Sequence, residues 1–366
     1  MRFLPKDPFL RARGLHGAII DRRDGLPRFM NPDDARKPIM RLTLVIPQLL
    51  ALDHVSLNAT PELARLVGFA GAPTTEVSGL DHAVLAAVDA PIDTPIAPLA
   101  ALGAGFDPGE RFVLRGDPVA LVAGREDVLM TGRVDDLTND EAAALLTTLN
   151  SHFAADGLLF HAPRHDAWFI TVPDAQRLVT TPLPAVQGAT YPHQPRGDDA
   201  AQWRRWLSEI QMLLHQHPVN VERERCGRAL VTGIWIWGAG TMPKTRALLD
   251  VTPFVAATRD GDVLRGLANR ARVSWSSPPP RFSELPATKA AIVVLPPLSG
   301  PETFASVVET WLAPALAALE HGKITSLALI ADRGSSAFTW RASRPSLLAR
   351  ARARFESRLF APIPDA

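Results

Sequence analysis

The sequence predicts an α/β fold in which a mainly parallel sheet, flanked by helices, is interrupted by a smaller inserted α+β domain. Short, largely apolar runs, typical of buried strands, occur near both ends of the chain at 41–46, 290–295 and 326–331. Helical segments lie between such runs. A Pro/Gly-rich stretch at 91–109 marks a boundary, after which the strand pattern changes.

The first half of the core follows an irregular N-terminal arm with little periodicity. The run 41–46 is predicted to be a buried strand, and Pro47 ends it because proline cannot donate a hydrogen bond to a ladder. Thr60 is a candidate N-cap for a helix that begins with Pro61, a residue suited to the first helical turn. Residues 80–88 are predicted to form the next helix.

The inserted segment begins with strand-like runs at 112–122 and 128–132. Thr138 and Glu141 have the spacing of a capping box, so a helix is predicted from there to about Phe153. Shorter strands are expected at 158–160 and 168–172.

The chain then returns, in this interpretation, to the first sheet. The elements expected there are a long helix at 198–215, a strand at 233–238 with a glycine turn at 238–240, a strand at 290–295, a helix at 307–320 and a strand at 326–331. The predicted organisation is an arm at 1–40, a core at 41–108 and 190–345, an insertion at 110–188, and a C-terminal helix and tail at 346–366.

Composition excludes several function classes. The chain has 366 residues with a net charge of +1, which gives no specific signal for nucleic acid. No apolar run reaches the roughly 18 residues of a membrane span, so no membrane partner is expected. Cys226 is the only cysteine, which excludes an intramolecular disulfide and a multi-cysteine metal site within one chain. We expect a cytoplasmic protein.

The chain contains two Asp-His pairs, Asp53-His54 and Asp81-His82, near the expected carboxyl ends of strands, where α/β proteins place their sites. They could contribute to a metal site, although carboxylates at helix starts explain them more simply. His215 and His217 could bind a metal or could belong to a helix end.

Five segments resemble the archaeal-type cofactor-independent phosphoglycerate mutases, most closely over about 110–243. The segments are 115–119, 139–150, 191–193, 217–223 and 233–240. The resemblance implies an alkaline-phosphatase-like α/β core with an inserted α+β domain, two metal ions and a serine nucleophile. The whole chain also resembles RpfE-type regulatory proteins, a label that names no chemistry.

The chain differs from the mutase pattern at the positions of the nucleophile and the metal ligands. The first strand leads to Gln48 where the mutases have a metal-binding Asp-Gly. Leu80 occupies the place of the nucleophile, and its side chain has no atom that can attack phosphorus. Arg333 stands where a ligand histidine is expected, so only Asp332 persists among the expected metal ligands.

The leading hypothesis is therefore a catalytically silent relative with a regulatory or scaffolding role, an unknown protein partner, and no cofactor or metal. One alternative is a re-founded phosphate-ester isomerase or hydrolase. It would use Asp53, His54, Asp81, His82 and Asp332.

A third hypothesis is a non-catalytic sensor of a small phosphorylated acid. The residues expected to bind it are His193, His217, Asn220 and Arg223, near the seam between the insertion and the core. Clefts between domains are common ligand sites, and these side chains suit a phosphate or carboxylate. The simpler interpretation is that they tie the turn after the long helix to its neighbours.

Overall fold

The structure is a computed structural model that describes residues 40–52, 60–76, 79–123, 128–186, 190–191, 195–244 and 249–344. The strands in these ranges are β1 Met40–Ile46, β2 Thr74–Glu76, β3 Phe112–Ala123, β4 Val128–Arg133, β5 Leu159–Arg164, β6 Ala167–Val172, β7 Thr190–Tyr191, β8 Gly233–Gly240, β9 Thr252–Val255, β10 Ala290–Val294, β11 Ile324–Asp332 and β12 Ala337–Ser343.

The α-helices in the same ranges are α1 Pro61–Ala70, α2 Leu80–Ala87, α3 Ile96–Ala104, α4 Asn139–Phe153, α5 Ala200–His215, α6 Pro218–Arg225, α7 Asp262–Ala271, α8 Pro301–Val307 and α9 Ala313–Glu320. The predicted C-terminal helix at 346–366 and the arm at 1–39 lie outside the described residues.

The first sheet has the strand order β2-β12-β11-β1-β10-β9. Its four strands β11, β1, β10 and β9 are parallel, and β12 and β2 extend it in antiparallel fashion. The α/β prediction of a mainly parallel sheet flanked by helices is thus confirmed. β1 lies at the centre, where Leu44 and Val45 are fully buried on opposite faces, as the prediction of a buried strand requires.

The second sheet has the order β5-β6-β3-β4-β7 and is antiparallel, with β8 paired along β3. α4 packs against this sheet and begins with the predicted capping box. The Glu141 amide donates to Thr138 Oγ1 at 3.1 Å, and the Thr138 amide donates to Glu141 Oε2 at 2.8 Å. At α1, by contrast, Thr60 makes no side-chain cap hydrogen bond.

The assignment of β8 to the first sheet is wrong. β8 pairs antiparallel with β3, from Val119 opposite Gly233 to Val113 opposite Gly240. Trp203 of α5 is also fully buried in the hydrophobic cluster of the second sheet. The chain therefore returns to the first sheet at β9, and not near residue 190.

β8 looked like a core strand because both of its faces are apolar. Ile234 and Ile236 pack into the cluster that contains α5, whereas Trp235 and Trp237 pack into the cluster that contains α3. The predicted glycine turn is part of the strand. A Cβ on Gly240 would lie 2.6 Å from Cβ of Pro95, so this glycine allows the start of α3 to approach β8.

The predicted helix at 307–320 is divided in two. α8 and α9 are joined by a π-helical turn at Val308–Leu312. Pro314 lacks an amide hydrogen and would clash with the carbonyl one turn earlier, which is a known cause of such irregularities. Among the described residues, no helix is long and apolar enough to cross a membrane.

Candidate functional site

Charged side chains collect where the carboxyl ends of the first sheet meet the second sheet. Asp332 ends β11, Asp81 lies in the first turn of α2, and Arg259 follows β9. Asp81 and Arg259 each contact a charged side chain of β3. We call this group the seam cluster, and its members are Asp81, Arg115, Asp117, Arg259, Asp260 and Asp332. Ligand sites of α/β proteins lie at this edge of the sheet.

Asp332 is held by the backbone around it. Its Oδ1 accepts a hydrogen bond from the Gln48 amide at 2.7 Å, and its Oδ2 accepts one from the Gly334 amide at 3.0 Å. Burial raises the pKa of Asp332 above its usual range, although these two amides favour the charged form. Gln48 adopts a left-handed conformation with φ 62°, and its amide points at this carboxylate.

Asp117 of β3 is paired with Arg259 of the core. Two hydrogen bonds of 2.6 and 2.8 Å join the guanidinium to the two carboxylate oxygens, and Trp237 Nε1 donates a third at 2.6 Å. Burial alone would raise the pKa of Asp117, but the charges of Arg259 and Arg115 hold it below its usual range. This bidentate pair ties the second sheet to the loop after β9.

Arg115 is the most deeply buried cation of the seam cluster, with 1% of its surface exposed. Its Nη2 lies 3.6 Å from Asp81 Oδ2, and its guanidinium lies 5.2 Å from the ring centroid of Trp237. Nε and Nη2 have no hydrogen-bond partner among the described residues. These two atoms form the edge of a guanidinium that grips a carboxylate or phosphate with two parallel hydrogen bonds.

Asp260 carries a carboxyl group whose pKa is raised in the seam cluster. Burial, and then the negative charge of Asp332, raise its pKa to about 6, while Arg259 acts in the opposite direction. Because this pKa is raised on folding, the native state holds the proton between about pH 4 and pH 6, whereas the unfolded chain has lost it. The contribution of Asp260 to stability is therefore present at low pH and is lost as the pH rises through about 6.

We expect Asp260→Asn to stabilise the protein at pH 7.5 by about 1 to 2 kcal/mol, because the amide removes the cost of a poorly solvated charge. Urea unfolding at pH 7.5 and pH 5 measures this difference, which should shrink at the lower pH. A difference that stays equal at both pH values would contradict the assigned direction of the pKa shift.

A second buried ion cluster crosses the seam beside the first. Asp262 of α7 has no exposed surface and accepts two hydrogen bonds from Arg164 of β5, at 3.0 and 2.9 Å. It also pairs with Arg265, whose Nε donates to the Gly103 carbonyl at 3.1 Å. The two sheets are thus joined by charged pairs at several points, which fixes their relative orientation.

The structure brings together two of the five residues proposed for an enzyme site. Asp81 and Asp332 lie in the seam cluster, and the charge of Asp81 contributes to the raised pKa of Asp332. His82 follows Asp81 on α2. Asp53 and His54 lie outside the described residues, as does His193 of the expected sensor site.

The expected ligand site at His217, Asn220 and Arg223 is wrong for these three residues. They are buried and bonded within the layer of helices on the second sheet. The Val219 amide donates to His217 Nδ1 at 3.2 Å, which caps α6. Asn220 Nδ2 donates to the carbonyls of Leu214 and Val231 at 2.7 and 2.8 Å.

Arg223 supports the fold in the same way. It is fully buried, donates to the Ala229 carbonyl at 2.7 Å, and pairs with Asp136 and with Glu141 of the capping box. These interactions of His217, Asn220 and Arg223 join α6 to the neighbouring segments of the chain. They therefore support the interpretation that the three residues tie the turn after the long helix to its neighbours. Short hydrogen bonds of this kind are ordinary at helix ends.

We expect Arg223→Ala to lower the free energy of unfolding by about 2 to 3 kcal/mol, because it removes a fully buried guanidinium and leaves the Ala229 carbonyl without its donor. Asp136 and Glu141 lose one of their two cations and keep Arg228. Arg225→Ala, two residues along the same helix, is the matched control, since Arg225 is exposed and bonded only to neighbouring residues of the same helix end. Urea unfolding should separate the two variants. Equal stabilities would restore Arg223 as a candidate ligand residue.

Four residues of the seam cluster were not predicted as site residues from the sequence, namely Arg115, Asp117, Arg259 and Asp260. A signal was present for two of them, because Arg115 and Asp117 interrupt an otherwise apolar strand, and charged residues are seldom fully buried unless they are paired. Arg259 and Asp260 lie in a short polar turn after β9 that has no pattern of its own.

The described residues do not fit the two-metal site that the resemblance implies. Both oxygens of Asp332 already accept amide hydrogen bonds, and Asp81 faces the guanidinium of Arg115. Within the described ranges, no group of three or more His, Cys, Asp or Glu residues is arranged to hold a metal ion. Two close dications need several carboxylates or imidazoles, whereas here arginines balance the carboxylates.

Comparison with known proteins gives a consistent set of relatives. The 2,3-bisphosphoglycerate-independent phosphoglycerate mutase of Methanosarcina mazei is 24% identical over 225 residues, which is 59% of this chain and 55% of that protein. The mutase of Methanosarcina barkeri is 24% identical over 231 residues, 60% of this chain and 55% of that protein. The chain is similar to phosphoglycerate mutases.

The chain spans about half the length of the curated relatives that it matches. No protein-family model matches it. Among solved structures, the cofactor-independent phosphoglycerate mutase of Thermoplasma acidophilum has 16% identity and a TM-score of 0.39, with 84% of this chain and 91% of that chain covered. The PH0037 protein of Pyrococcus horikoshii has 15% identity and a TM-score of 0.45, with 83% and 88% covered.

Proposed function

We propose that this protein is a non-catalytic relative of the phosphoglycerate mutases that acts in the cytoplasm as a regulatory or scaffolding protein. The resemblance to RpfE-type regulatory proteins agrees with such a role. If the proposal is right, the residues at the catalytic positions of the mutases serve here in packing and in internal ion pairs. The surroundings of Leu80 are the main support for it.

Leu80 is the first residue of α2, at the position that the resemblance gives to the serine nucleophile. Only 7% of its surface is exposed, and it belongs to a hydrophobic cluster with Val45, Val255 and Ile330 of the first sheet. A leucine side chain has neither a proton to lose nor a lone pair to donate, so covalent catalysis cannot pass through this position. Each oxygen of Asp332 also accepts a backbone amide hydrogen bond, which supports the same conclusion.

Interconversion of 2- and 3-phosphoglycerate by the purified protein tests the proposal, with the mutase of Methanosarcina mazei as positive control. We expect no turnover above a buffer blank and no stoichiometric manganese, zinc or magnesium by elemental analysis. Leu80→Ser is expected to remain inactive, because a hydroxyl alone does not supply the missing metal ligands. Mutase turnover, or two bound metal ions per chain, would refute the proposal.

A re-founded phosphate-ester hydrolase or isomerase is the first alternative, and Asp260 is the observation that favours it. A carboxyl group with a pKa of about 6 is suited to proton transfer near neutral pH. In this alternative, the rate of hydrolysis of a phosphate ester would change with pH around a midpoint near 6. The activity would be lost in Asp260→Asn. Absence of any such activity across a panel of phosphate esters removes this alternative.

A sensor of a small phosphorylated acid is the second alternative, and for it we propose the seam cluster in place of the site first expected at His193, His217, Asn220 and Arg223. One edge of Arg115 favours it, because its Nε and Nη2 make no hydrogen bond among the described residues and two N–H groups on one side suit a carboxylate or phosphate. A ligand at this edge would compete with Asp81, which lies 3.6 Å from Nη2. A thermal shift by 3-phosphoglycerate that is lost in Arg115→Met would support it, since ligands that bind the native state raise its melting temperature. No shift in the wild-type protein would exclude it.

A further inference from the structure

An apolar groove lies on the outer helical layer of the first sheet, away from the seam cluster. It has a volume of about 780 Å³ and is formed by the start of α1 and by the α8–α9 pair. Phe304, Val308 and Ala317 contribute to its floor. The π-helical turn between α8 and α9 provides part of the wall. Grooves of this kind receive the apolar face of an amphipathic helix.

Two carboxylates, Glu62 and Glu309, line the groove as well. Neither has a cationic partner within 4 Å in the part of the chain that the structure describes, whereas nearby Arg65 is already paired with Glu320. An occupant with an apolar face and positive charges beside it would therefore complement this surface.

The described chain ends close to the groove. The side chain of Arg344 lies against Gly322, since a Cβ on that glycine would be 2.7 Å from Arg344 Cζ. Gly322 follows α9, whose Ala317 lines the groove one turn before the helix ends. Residues 345–361, which precede Pro362 and Pro364, could extend about 25 Å as a helix, and α9 is only about 12 Å long.

The sequence of that C-terminal segment has the complementary pattern. Leu348, Ala351, Phe355 and Leu359 recur at helical spacing, which predicts one apolar stripe. Two arginines, at 352 and 358, lie on either side of the stripe, and two more, at 350 and 354, lie further round the helix.

We propose that the C-terminal segment 345–366 docks as an amphipathic helix into the α1/α8–α9 groove of its own chain. The apolar stripe covers Phe304 and Val308, and the arginines lie beside Glu62 and Glu309. The covalent connection through Arg344 keeps the segment at a high effective concentration, so modest contacts are sufficient to hold it. This inference does not depend on whether the protein is catalytic.

Disulfide trapping in the full-length chain tests the proposal, with Cys226→Ser as the background. Ala351→Cys in the segment is combined with Ala305→Cys, which lines the groove, or with Ser306→Cys, which is also exposed but not part of the lining. We expect the Ala305 pair to form an intramolecular disulfide at least tenfold faster. Both pairs should melt at the same temperature before oxidation, which shows that the rate reports proximity.

The second part of the experiment reverses the charges of the groove. Glu62→Lys combined with Glu309→Lys should abolish the rate advantage of the Ala305 pair, whereas Glu302→Lys, on α8 but outside the groove lining, should leave it intact. Equal rates for the two cysteine pairs would overturn the proposal. A disulfide that forms only between two chains, at a rate that depends on protein concentration, would overturn it also and would identify a second copy as the occupant.

Discussion

Gly266→Ala is expected to destabilise the protein by about 3 kcal/mol, and by more if the two helices at this site cannot separate. Gly266 of α7 faces α3, and a Cβ built on it would lie 1.8 Å from the carbonyl oxygen of Leu99. The reciprocal position, Gly103 of α3, is equally tight, with 1.8 Å to the carbonyl oxygen of Asp262. Neither obstacle is a side chain that could rotate away, because both oxygens belong to helical backbone.

Gly68→Ala is the matched control, since Gly68 lies within α1 and a Cβ there would meet nothing within 4 Å. An alanine at an open helical position is expected to be neutral or to stabilise by up to about 1 kcal/mol. Urea unfolding measures both changes. If the two glycine variants proved equally stable, the close approach of α3 to α7 would be refuted.

Asp262→Ala is expected to lower the free energy of unfolding by about 3 to 5 kcal/mol. The substitution leaves Arg265, on the same helix, without its carboxylate. It also removes one of the two carboxylates of Arg164, which keeps Asp166. Arg265 is 3% exposed, so water cannot replace the lost partner. The loss should exceed that of an ordinary ion pair, because buried cations bear the full desolvation cost.

An exposed pair provides the control for this second prediction. Asp198 contacts Arg177 at 3.0 Å, and both side chains are more than 70% exposed, so Asp198→Ala should leave the unfolding midpoint unchanged. The double variant Arg164→Ala/Asp262→Ala should be more stable than the sum of the single changes indicates, since the two groups are coupled. Strict additivity would show that Arg164 and Asp262 do not interact.

Much of the fold could be predicted because its signals are local. The apolar run of β1, the capping box of Thr138 and Glu141 and the stripe of α5 each specify one element within a few residues. Local signals could not predict the sheet to which β8 belongs. A strand that is apolar on both faces fits either sheet, and its place depends on pairing with β3, more than a hundred residues earlier in the chain.

The site was predictable only in part, for a related reason. Asp81 and Asp332 could be found because strand and helix ends are visible in the sequence. Their partners Arg115 and Arg259 could not, because an ion pair between distant segments leaves no periodic trace. His217, Asn220 and Arg223 were misjudged because a polar residue that completes a helix end and one that awaits a ligand look alike in sequence.

The central position of β1 has a consequence for how the protein is made. β1 bonds to β10 and β11 on its two sides, so its partners leave the ribosome only after residues 290–332 have been synthesised. At typical translation rates this delay is on the order of tens of seconds. The strands of the second sheet all lie between Phe112 and Gly240, so that sheet can assemble first. During this interval the nascent chain exposes β1 without either of its strand partners, and such an unpaired apolar strand is prone to aggregation until the last third of the protein emerges.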